Sequence, residues 1–342
     1  MTADGEVPPV GFAPGPDAVT VVVVAWRSGA TLDRCLASVV NGTAGPGSTG
    51  PTVLVVDNEA DVATHAVLDR WAGRVQVHRA GANLGFAGGV AAALEVLRTP
   101  LVLLLNDDAR LAPDALRLLL GTLHEAGPGC AAVQPAVRLA GTHPALAHTT
   151  GTMVTPDGFG YDRDWLRPWP VGRDGADEPF GVCGAAALLR TGPVREVGGM
   201  DASLFLYYED TDLSWRLRLA GYSIAFCPRA VVDHEHSASS QEGSDLAFFH
   251  SERNRLLVLA RNASWRLALG QWLRHPLTTA SWAVRTPAAT ARTGLRLRVL
   301  ASALRRLPAA LRRRRADDPK RSRRTVETAF ATASGPLPGY RA

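Results

Sequence analysis

Three acidic side chains lie within four positions of one short segment, FLYYEDTDLSWRLRLAGY (205–222). Glu209, Asp210 and Asp212 stand between a tyrosine pair and an arginine-rich run with helical spacing. Like charges this close repel each other, so the cluster costs stability unless a helix end, a metal ion or a reaction uses it. Acids in the first turn of a helix also complement the helix dipole. The segment therefore predicts a helix that begins near these acids, and both a structural and a catalytic role stay open for them.

A second group of polar side chains, Asn106, Asp107 and Asp108, directly follows the apolar run PLVLLL. Carboxylates at the end of an apolar strand need a counter-charge, and hard divalent cations prefer oxygen ligands. The alternative is a helix cap or turn for the segment 112–120, but that segment has its own start signal in PD (113–114). We therefore favour a role in binding a metal ion or a diphosphate.

A glycine-rich turn, NLGFAGG (83–89), precedes a segment with helical character. Such a turn allows close approach of the backbone and presents N–H groups to an anion, although glycines also serve tight packing. It is not a P-loop, because no Lys-Ser/Thr pair follows, and the first turn after a strand lacks the glycines of the dinucleotide fingerprint. The turn indicates an anion site only in combination with other motifs.

The motif DHEHS (233–237) could supply a metal ligand. Imidazole is the commonest metal ligand, and two histidines separated by one residue stand here beside acids. The pair does not have the spacing of the HExxH zinc motif. A structural role and a ligand role for His234 or His236 are both compatible with this pattern.

Strands and helices alternate over residues 19–120. The runs VTVVVVAW (19–26) and PTVLVVDN (51–58) are rich in β-branched residues, as expected for strands buried on both faces of a sheet. The alternation predicts an α/β fold with a parallel sheet and right-handed crossovers. Ligands of such sheets bind beyond the carboxyl ends of the strands, which singles out residues 57–58 and 106–108.

The second half of the chain is less regular. Residues 141–179 are rich in Pro, Gly, Asp and aromatic side chains and predict a long loop or small hairpins. Strand character returns at GVCGAAALLRT (181–191), and the acid cluster follows as a predicted helix. A strand then leads into the histidine motif, and the chain is mostly helical from Asp245 onward.

The chain has 342 residues and a net charge of +5 that is unevenly distributed. Residues 1–262 carry 20 basic and 29 acidic side chains, a net charge of −9, whereas residues 263–342 carry 17 and 3, a net charge of +14. The four cysteines lie far apart and show no zinc-type spacing. The N-terminus lacks the apolar core of a signal peptide, and no stretch approaches the roughly 20 apolar residues of a membrane span. These features predict a cytoplasmic protein.

Residues 263–315 combine Leu, Trp and Ala with many arginines. A basic amphipathic helix favours binding to an anionic membrane surface, which would place the protein peripherally at the inner face of the plasma membrane. A solvated helical extension is the alternative, because arginine is abundant and Lys320 is the sole lysine of the chain. Nucleic-acid binding is not expected, since no recognisable motif is present and the acidic body would repel phosphates.

Taken in order, these motifs resemble one family. LLLNDDARL is followed by GAAALLRTGPVREVGGMDASLFLYYEDTDLSWRLRLAGY, then by VVDHEHSASS and FFHSERNRLLVLARN. Over residues 19–262 the chain resembles inverting family 2 glycosyltransferases of the GT-A fold, in particular the rhamnosyltransferase-like and galactofuranosyltransferase-like branch. We accordingly divide the chain into a disordered leader (1–18), a GT-A domain (19–262) with a nucleotide-sugar half (19–120) and an acceptor and catalytic half (121–262), a basic helical extension (263–315) and a disordered tail (316–342).

The resemblance implies a donor site. Asp57 would contact the base or ribose of the nucleotide, and Asn83 would help to seat the nucleotide sugar with the backbone near Ala25 and Arg27. Gly85 of the glycine turn belongs to the same predicted site.

The resemblance also implies a divalent cation, Mn²⁺ or Mg²⁺. NDD would stand for the DxD motif of the family, with Asn106 in place of the first acid, Asp107 beside the diphosphate and Asp108 as the metal-binding acid. His234 would be the second metal ligand, with His236 as its alternative.

In the same family comparison Asp210 would be the catalytic base, and Glu209 would orient the acceptor or Asp210. Asp212 is expected to cap the helix or to pair with Arg216, and Trp215 is expected in the core. The predicted function is transfer of a hexose or deoxyhexose from a nucleoside-diphosphate sugar to a cell-envelope glycan or a polyprenyl-linked acceptor.

Two rival functions differ in what they require. A sugar-phosphate nucleotidyltransferase would need a loop rich in Gly and Lys/Arg after the first strand, and AWRSGATLDRC is a poor match. A catalytically inactive scaffold that binds membrane or partners would have no need to keep Asp108, Asp210 and His234 together.

Overall fold

The computed structural model describes residues 14–42, 50–235, 244–285 and 290–329. The strands are β1 (Val19–Ala25), β2 (Thr52–Asp57), β3 (Gln76–Arg79), β4 (Leu101–Leu105), β5 (Ala109–Leu111), β6 (Cys130–Leu139), β7 (Ala147–Thr149), β8 (Thr152–Val154), β9 (Gly160–Asp162), β10 (Ala186–Arg190) and β11 (Ser223–His234). The helices are α1 (Leu32–Val40), α2 (Val62–Arg70), α3 (Gly85–Val96), α4 (Ala115–Glu125), α5 (Thr191–Glu196), α6 (Glu209–Leu219), α7 (Asp245–Asn262), α8 (Trp265–Arg285), α9 (Thr290–Ala316) and α10 (Arg323–Glu327).

The central sheet has the strand order β3-β2-β1-β4-β10-β6-β11-β5, with β7 beside β6. Strands β1, β2, β3 and β4 are parallel, as the alternating pattern predicts. Ala25 at the end of β1 lies opposite Asp57 at the end of β2. The polar residues that follow these strands are therefore brought to one edge of the sheet.

The C-terminal half adds antiparallel pairings to this parallel core. β10 runs antiparallel to β4, so that Ala186 at its start lies opposite Leu105 at the end of β4. β11 runs parallel to β6 and antiparallel to β5, and its last residue, His234, lies opposite Ala109. The start of β10 and the end of β11 therefore both reach the position where Asn106–Asp108 leaves β4.

Alternating side chains of β1 enter two separate hydrophobic cores. Val22 and Val24 pack with α3 and α6 on one face, and Val21 and Val23 pack with α1 and α4 on the other. A strand buried on both faces requires apolar residues at every position, which explains the continuous run that predicts β1. Each hydrophobic core covers one face of the sheet and excludes water from it, so a ligand can reach the sheet at the strand ends.

The C-terminal helices pack against the catalytic half. Leu256 of α7 contacts Val299 and Ala303 of α9 in a small buried cluster. Within the described ranges no helix has both the length and the apolar character needed to cross a bilayer.

The prediction of a disordered tail from residue 316 is wrong for residues 316–329. Val326 of α10 is buried in the main core, and the backbone N–H of Arg321 donates to Leu219 O at 2.9 Å. The segment is also held by an ion pair between Arg261 and Asp317 at 2.9 Å. The segment is mostly polar, and Val326 is its buried apolar residue in the main core. The sequence pattern therefore indicates disorder, although tertiary contacts order the segment. Residues 330–342 lie outside the described ranges.

The leader is also shorter than predicted. Residues 16–18 form a 3₁₀ turn in which the N–H of Ala18 donates to Gly15 O at 3.1 Å, directly before β1. The predicted disorder of residues 1–13 falls outside the described ranges.

Candidate active site

The end of β2 carries a buried carboxylate. Asp57 accepts a hydrogen bond from the backbone N–H of Ala60 at 2.9 Å and lies 3.0 Å from His65 Nε2 and 3.2 Å from Arg79 Nη1. Burial acts to raise the pKa of Asp57, but these partners together hold it below its ordinary value. Asp57 is therefore ionised beside the carbonyl end of β1 at Ala25.

Asn58, the next residue, fixes the glycine turn. Its Oδ1 accepts from the N–H of Leu84 at 2.8 Å, and its Nδ2 donates to Asn83 Oδ1 at 3.2 Å. Asn83 Oδ1 also accepts from the N–H of Gly85 at 2.9 Å. The amide oxygen of Asn83 thus stabilises the backbone of the turn. Asn58 in turn holds the side chain of Asn83 in position.

The glycine turn packs directly against the segment that precedes the acid cluster. Gly85 has a φ of +68°, and a Cβ at this position would lie 2.2 Å from the carbonyl oxygen of Phe205. The same oxygen accepts from the N–H of Ala87 at 3.1 Å. Only glycine fits here, because both the backbone conformation and the space exclude a side chain. The predicted donor site is therefore in contact with the segment that leads into the acid cluster.

The segment before α6 adopts an unusual backbone. Phe205, Tyr207 and Tyr208 have φ values of 68°, 67° and 69°, a region that costs free energy for residues other than glycine. Buried Asn254 of α7 compensates by donating from Nδ2 to the carbonyl oxygens of Leu204, Leu206 and Tyr207 at 2.7–2.9 Å. Asn254 belongs to the motif FFHSERNRLLVLARN, and no local pattern predicts this role for it. The arrangement fixes where α6 begins.

Asp210 lies at the start of α6 with both carboxylate oxygens engaged by backbone amides. Oδ2 accepts from the N–H of Gly184 at 2.9 Å, and Oδ1 accepts from the N–H of Thr211 at 2.5 Å. Burial raises the pKa of Asp210 above its ordinary value, and the two amides oppose that rise. Ala185, next to Gly184, accepts from the N–H of Asn106 at 3.0 Å. A single turn before β10 therefore connects Asp210 to the end of β4.

Glu209 differs from Asp210 in its surroundings. Its side chain is buried, and its Oε2 has no hydrogen-bond partner among the described residues. Burial first, then the charges of Asp210 and Asp212, raises the pKa of Glu209 well above its ordinary value. Glu209 consequently favours its uncharged form more than an exposed glutamate does.

Asp212 has a structural partner, as predicted. It forms a buried ion pair with Arg216 at 2.7 Å and accepts from Asn262 Nδ2 at 2.7 Å. Burial acts to raise the pKa of Asp212, but Arg216 and Arg261 lower it below its ordinary value. Trp215 is buried in the main core, which confirms its predicted position.

Asp107 turns back toward β1 and ties the two strand ends together. Its Oδ2 accepts from the backbone N–H of Trp26 at 3.2 Å. Burial, and then the neighbouring charge of Asp108, raises the pKa of Asp107 to about 7. The adjacent Arg27 is exposed, has a φ of 51°, and places its guanidinium 5.1 Å from the centre of the Trp26 ring. A cationic side chain thus stands at the mouth of the predicted donor site.

Asn106, Asp108 and His234 meet at the junction of β4 and β11. His234 Nε2 lies 2.9 Å from Asp108 Oδ1 and 3.3 Å from Asn106 Nδ2. Asp108 Oδ1 is buried and accepts no hydrogen bond within the described part of the chain. A carboxylate oxygen and an imidazole nitrogen that converge at this distance are a suitable ligand pair for Mn²⁺ or Mg²⁺. His236, the alternative ligand, lies outside the described residues.

A residue that sequence reasoning missed stands behind this pair. His148 in the middle of β7 is buried, and its Nδ1 lies 3.0 Å from His234 Nδ1. It belongs to the irregular segment 141–179, and no local pattern marks it. Only the pairing of β6 with both β7 and β11 brings the two histidines together.

Similarity to known proteins agrees with this arrangement. Residues 16–256 match the family described as "Glycosyltransferase like family 2". An N-acetylglucosaminyl-diphospho-decaprenol L-rhamnosyltransferase of Mycobacterium tuberculosis is 29% identical over 290 residues, which cover 78% of this chain and 92% of the relative. A low-salt glycan biosynthesis hexosyltransferase, Agl10, of Haloferax volcanii is 24% identical over 256 residues, 71% of this chain and 75% of the relative.

Solved structures share the fold at low sequence identity. GalNAc-T7 with UDP, GalNAc and Mn²⁺ superimposes with a TM-score of 0.59 at 13% identity, over 85% of this chain and 56% of that one. TarS 1–349 of S. aureus superimposes with a TM-score of 0.54 at 14% identity, over 91% and 90% of the two chains. This chain shares with them the GT-A fold, a mixed sheet with flanking helices. From the family match and the fold together, the chain belongs to glycosyltransferase family 2.

Proposed function

We propose that this glycosyltransferase is an inverting, metal-dependent enzyme that transfers a deoxyhexose of the rhamnose type, or a related hexose, to a lipid-linked acceptor of the cell envelope. The observation that carries the proposal is the position of Asp210. Its carboxylate is held by the N–H of Gly184, and the following residue, Ala185, binds the backbone of Asn106 beside the predicted metal ligands. The rhamnosyltransferase relative supports the choice of sugar and acceptor.

In the proposed reaction Asp210 acts as general base. Its carboxylate takes the proton of the acceptor hydroxyl while that oxygen attacks the anomeric carbon of the donor sugar. The bond between that carbon and the diphosphate oxygen breaks in the same displacement, and the nucleoside diphosphate leaves with the electron pair. One in-line displacement inverts the configuration at the anomeric carbon. Because the pKa of Glu209 is raised well above its ordinary value, its uncharged form is favoured, which limits the negative charge beside the base.

Asp108 and His234 would hold the divalent cation, with Asn106 contacting the same imidazole nitrogen. When bound, the cation supplies positive charge that offsets the negative charge of the diphosphate leaving group. Asp57, Asn83, Gly85 and the backbone at Ala25 would form the nucleotide side of the donor site. Asp107 would keep the end of β1 against the end of β4, and Arg27 would face the diphosphate from the mouth.

The test is a transfer assay with purified full-length protein, Mn²⁺, dTDP-L-rhamnose and a short-chain polyprenyl-diphospho-GlcNAc acceptor. UDP-GlcNAc and GDP-mannose serve as competing donors. We expect rhamnosyl transfer with inverted configuration at the anomeric carbon, which NMR of the product measures. Transfer with retention would contradict the proposed mechanism, and failure to bind UDP, dTDP or GDP by calorimetry would favour a catalytically inactive scaffold.

We further propose that the enzyme works from the cytoplasm at the inner face of the plasma membrane, which it contacts through α8 and α9. Some arginines of α9 point inward, since Arg313 binds Asp201 at 2.8 Å and Arg314 donates to Ala263 O at 2.6 Å. One face of α9 is exposed and carries leucines and arginines at a spacing of seven residues. They are Leu297 and Leu304, and Arg298, Arg305 and Arg312. α8 adds an exposed stripe of Trp265, Leu269, Leu273 and Leu277. Apolar and cationic side chains together match an anionic bilayer surface.

Replacing Arg298, Arg305 and Arg312 by Ala is expected to weaken binding to vesicles of phosphatidylglycerol and phosphatidylcholine by about 100-fold, since each basic residue near the surface contributes about 1 kcal/mol. Co-sedimentation measures the effect. The matched control replaces three exposed arginines of the nucleotide-sugar half by Ala, namely Arg70, Arg98 and Arg117. This variant should bind the vesicles as the wild type does. Equal losses in both variants, or preferential binding of the wild type to duplex DNA, would contradict membrane attachment by this face.

A further inference from the structure

Two buried imidazoles lie next to each other behind the proposed metal site. The Nδ1 atoms of His148 and His234 are 3.0 Å apart, and the ring centres are 4.8 Å apart with an interplanar angle of 30°. A neutral imidazole has one N–H donor and one acceptor nitrogen. At this distance one of the two Nδ1 atoms must donate and the other must accept.

Contacts on the opposite side of His234 determine the direction of that hydrogen bond. Asn106 Nδ2, which can only donate, lies 3.3 Å from His234 Nε2. Asp108 Oδ1 is 2.9 Å from the same nitrogen and accepts no hydrogen bond from the described residues. The Asn106 contact places a lone pair, and not a proton, on His234 Nε2. The Asp108 contact lacks hydrogen-bond geometry and is one that a shared cation would join. In neutral His234 the proton is then on Nδ1 and is donated to His148.

The surroundings of His148 accommodate the proton on its other nitrogen. With Nδ1 as acceptor, neutral His148 carries its proton on Nε2, which lies 3.9 Å from Asp162 Oδ2 on β9. The edge of Trp165 packs against the His148 ring at a centroid distance of 5.3 Å. A carboxylate next to Nε2 favours the tautomer that has its proton there.

We propose that His148, oriented by Asp162, is a positioning residue for the metal site: it accepts the Nδ1 proton of His234 and so directs the Nε2 lone pair of His234 toward the cation. This inference rests on the proposed function, because it concerns the ligand set of Asp108 and His234. Ligating histidines generally donate their second ring N–H to a fixed partner, and loss of such a partner costs about 10–100-fold in metal affinity. In this chain the partner is a second histidine, supplied by a segment that carries no recognisable motif.

A competing role for the same residues is direct metal binding. Ligand atoms of His148, Asp162 and Cys183 lie within 4.8 Å of one another. Metal binding there would require the Cys183 thiolate. Burial, and then the charge of Asp162, raises the pKa of the Cys183 thiol well above its ordinary value. The geometry of His234 therefore favours positioning, and Cys183→Ala separates the two roles by experiment.

The first experiment measures Mn²⁺ affinity by electron paramagnetic resonance of free Mn²⁺ at pH 7.5. His148→Leu, which has no acceptor, is expected to bind Mn²⁺ about 10–100-fold more weakly than the wild type. His148→Asn, whose amide oxygen can occupy the position of Nδ1, should stay within about fivefold, and Cys183→Ala should equal the wild type. A loss in Cys183→Ala as large as that in His148→Leu would place the cation in the other cluster and overturn the proposal. Unchanged affinity in His148→Leu would also overturn it.

A second measurement keeps the inference testable if His148→Leu fails to fold. Long-range ¹H–¹⁵N NMR of ¹⁵N-histidine-labelled wild type, assigned with His234→Gln, reports which ring nitrogen of His234 carries the proton. We expect the proton on Nδ1 without metal, and a proton on Nε2 would overturn the inference. If the wild type and Asp108→Ala bind Mn²⁺ equally weakly, the metal role in the proposed function fails, whereas the NMR result still decides the relation of His148 to His234.

Discussion

Asp210→Asn is expected to lower the transfer rate by at least about 10³-fold, because an amide cannot accept the proton of the acceptor hydroxyl. The amide is nearly isosteric with the carboxylate, and the donor does not depend on the proton transfer for binding. Affinity for the nucleoside diphosphate should therefore stay within a few-fold of the wild type. Initial rates of transfer, together with calorimetric donor binding on the same preparation, measure both effects. Retained turnover would refute the assignment of Asp210 as base.

Glu209→Gln is the matched comparison for this variant. The pKa of Glu209 is raised well above its ordinary value, and the amide preserves the size of the side chain while removing its capacity to ionise. We expect a loss of rate at least about tenfold smaller than that of Asp210→Asn, because no base is removed. The pH dependence provides a further distinction. Burial raises the pKa of Asp210, so the active carboxylate is present above that pKa and the rate falls as the pH decreases through it.

Asp108→Ala is expected to weaken Mn²⁺ binding by more than about 100-fold, since a direct ligand matters more than its outer partners. Donor binding in the presence of Mn²⁺ and the transfer rate should fall with it. The fold should not suffer, because Asp108 raises the pKa of its buried neighbour Asp107 and its removal relieves that repulsion. Thermal unfolding without metal checks this point, and we expect a melting temperature at or above that of the wild type.

Asp114→Ala is the control for the loss of an acid near the same strand. Asp114 is largely exposed and pairs with Arg117 at 3.0 Å, an arrangement that contributes little to stability. The Asp114→Ala variant should bind Mn²⁺ and transfer sugar from the donor as the wild type does. If the wild type binds donor without Mn²⁺ and Asp108→Ala binds it equally well, the metal roles of Asp108 and His234 are refuted while the family assignment is unaffected.

The sequence by itself determined the elements with a local signal. The run Val19–Ala25 is apolar at every position, and a strand buried on both faces of a sheet has this pattern because water reaches neither face. The start of α6 at Glu209 and the polar end of β4 can also be predicted from the sequence, because each depends on residues that are adjacent in the chain. The family motifs added the predicted roles of Asp108 and Asp210, which the variants described above would test.

Only the tertiary structure decided which distant groups serve these motifs. The N–H of Gly184 that holds Asp210, and the Asn254 side chain that holds the strained backbone before α6, lie 26 and 47–50 positions away from their partners. The neighbours His148 and His234 are 86 positions apart. Such contacts leave no periodic or compositional trace, because they depend on strand order and register. The antiparallel insertion of β10 and the pairing of β11 with β5 and β6 therefore determine the site as much as its acids do.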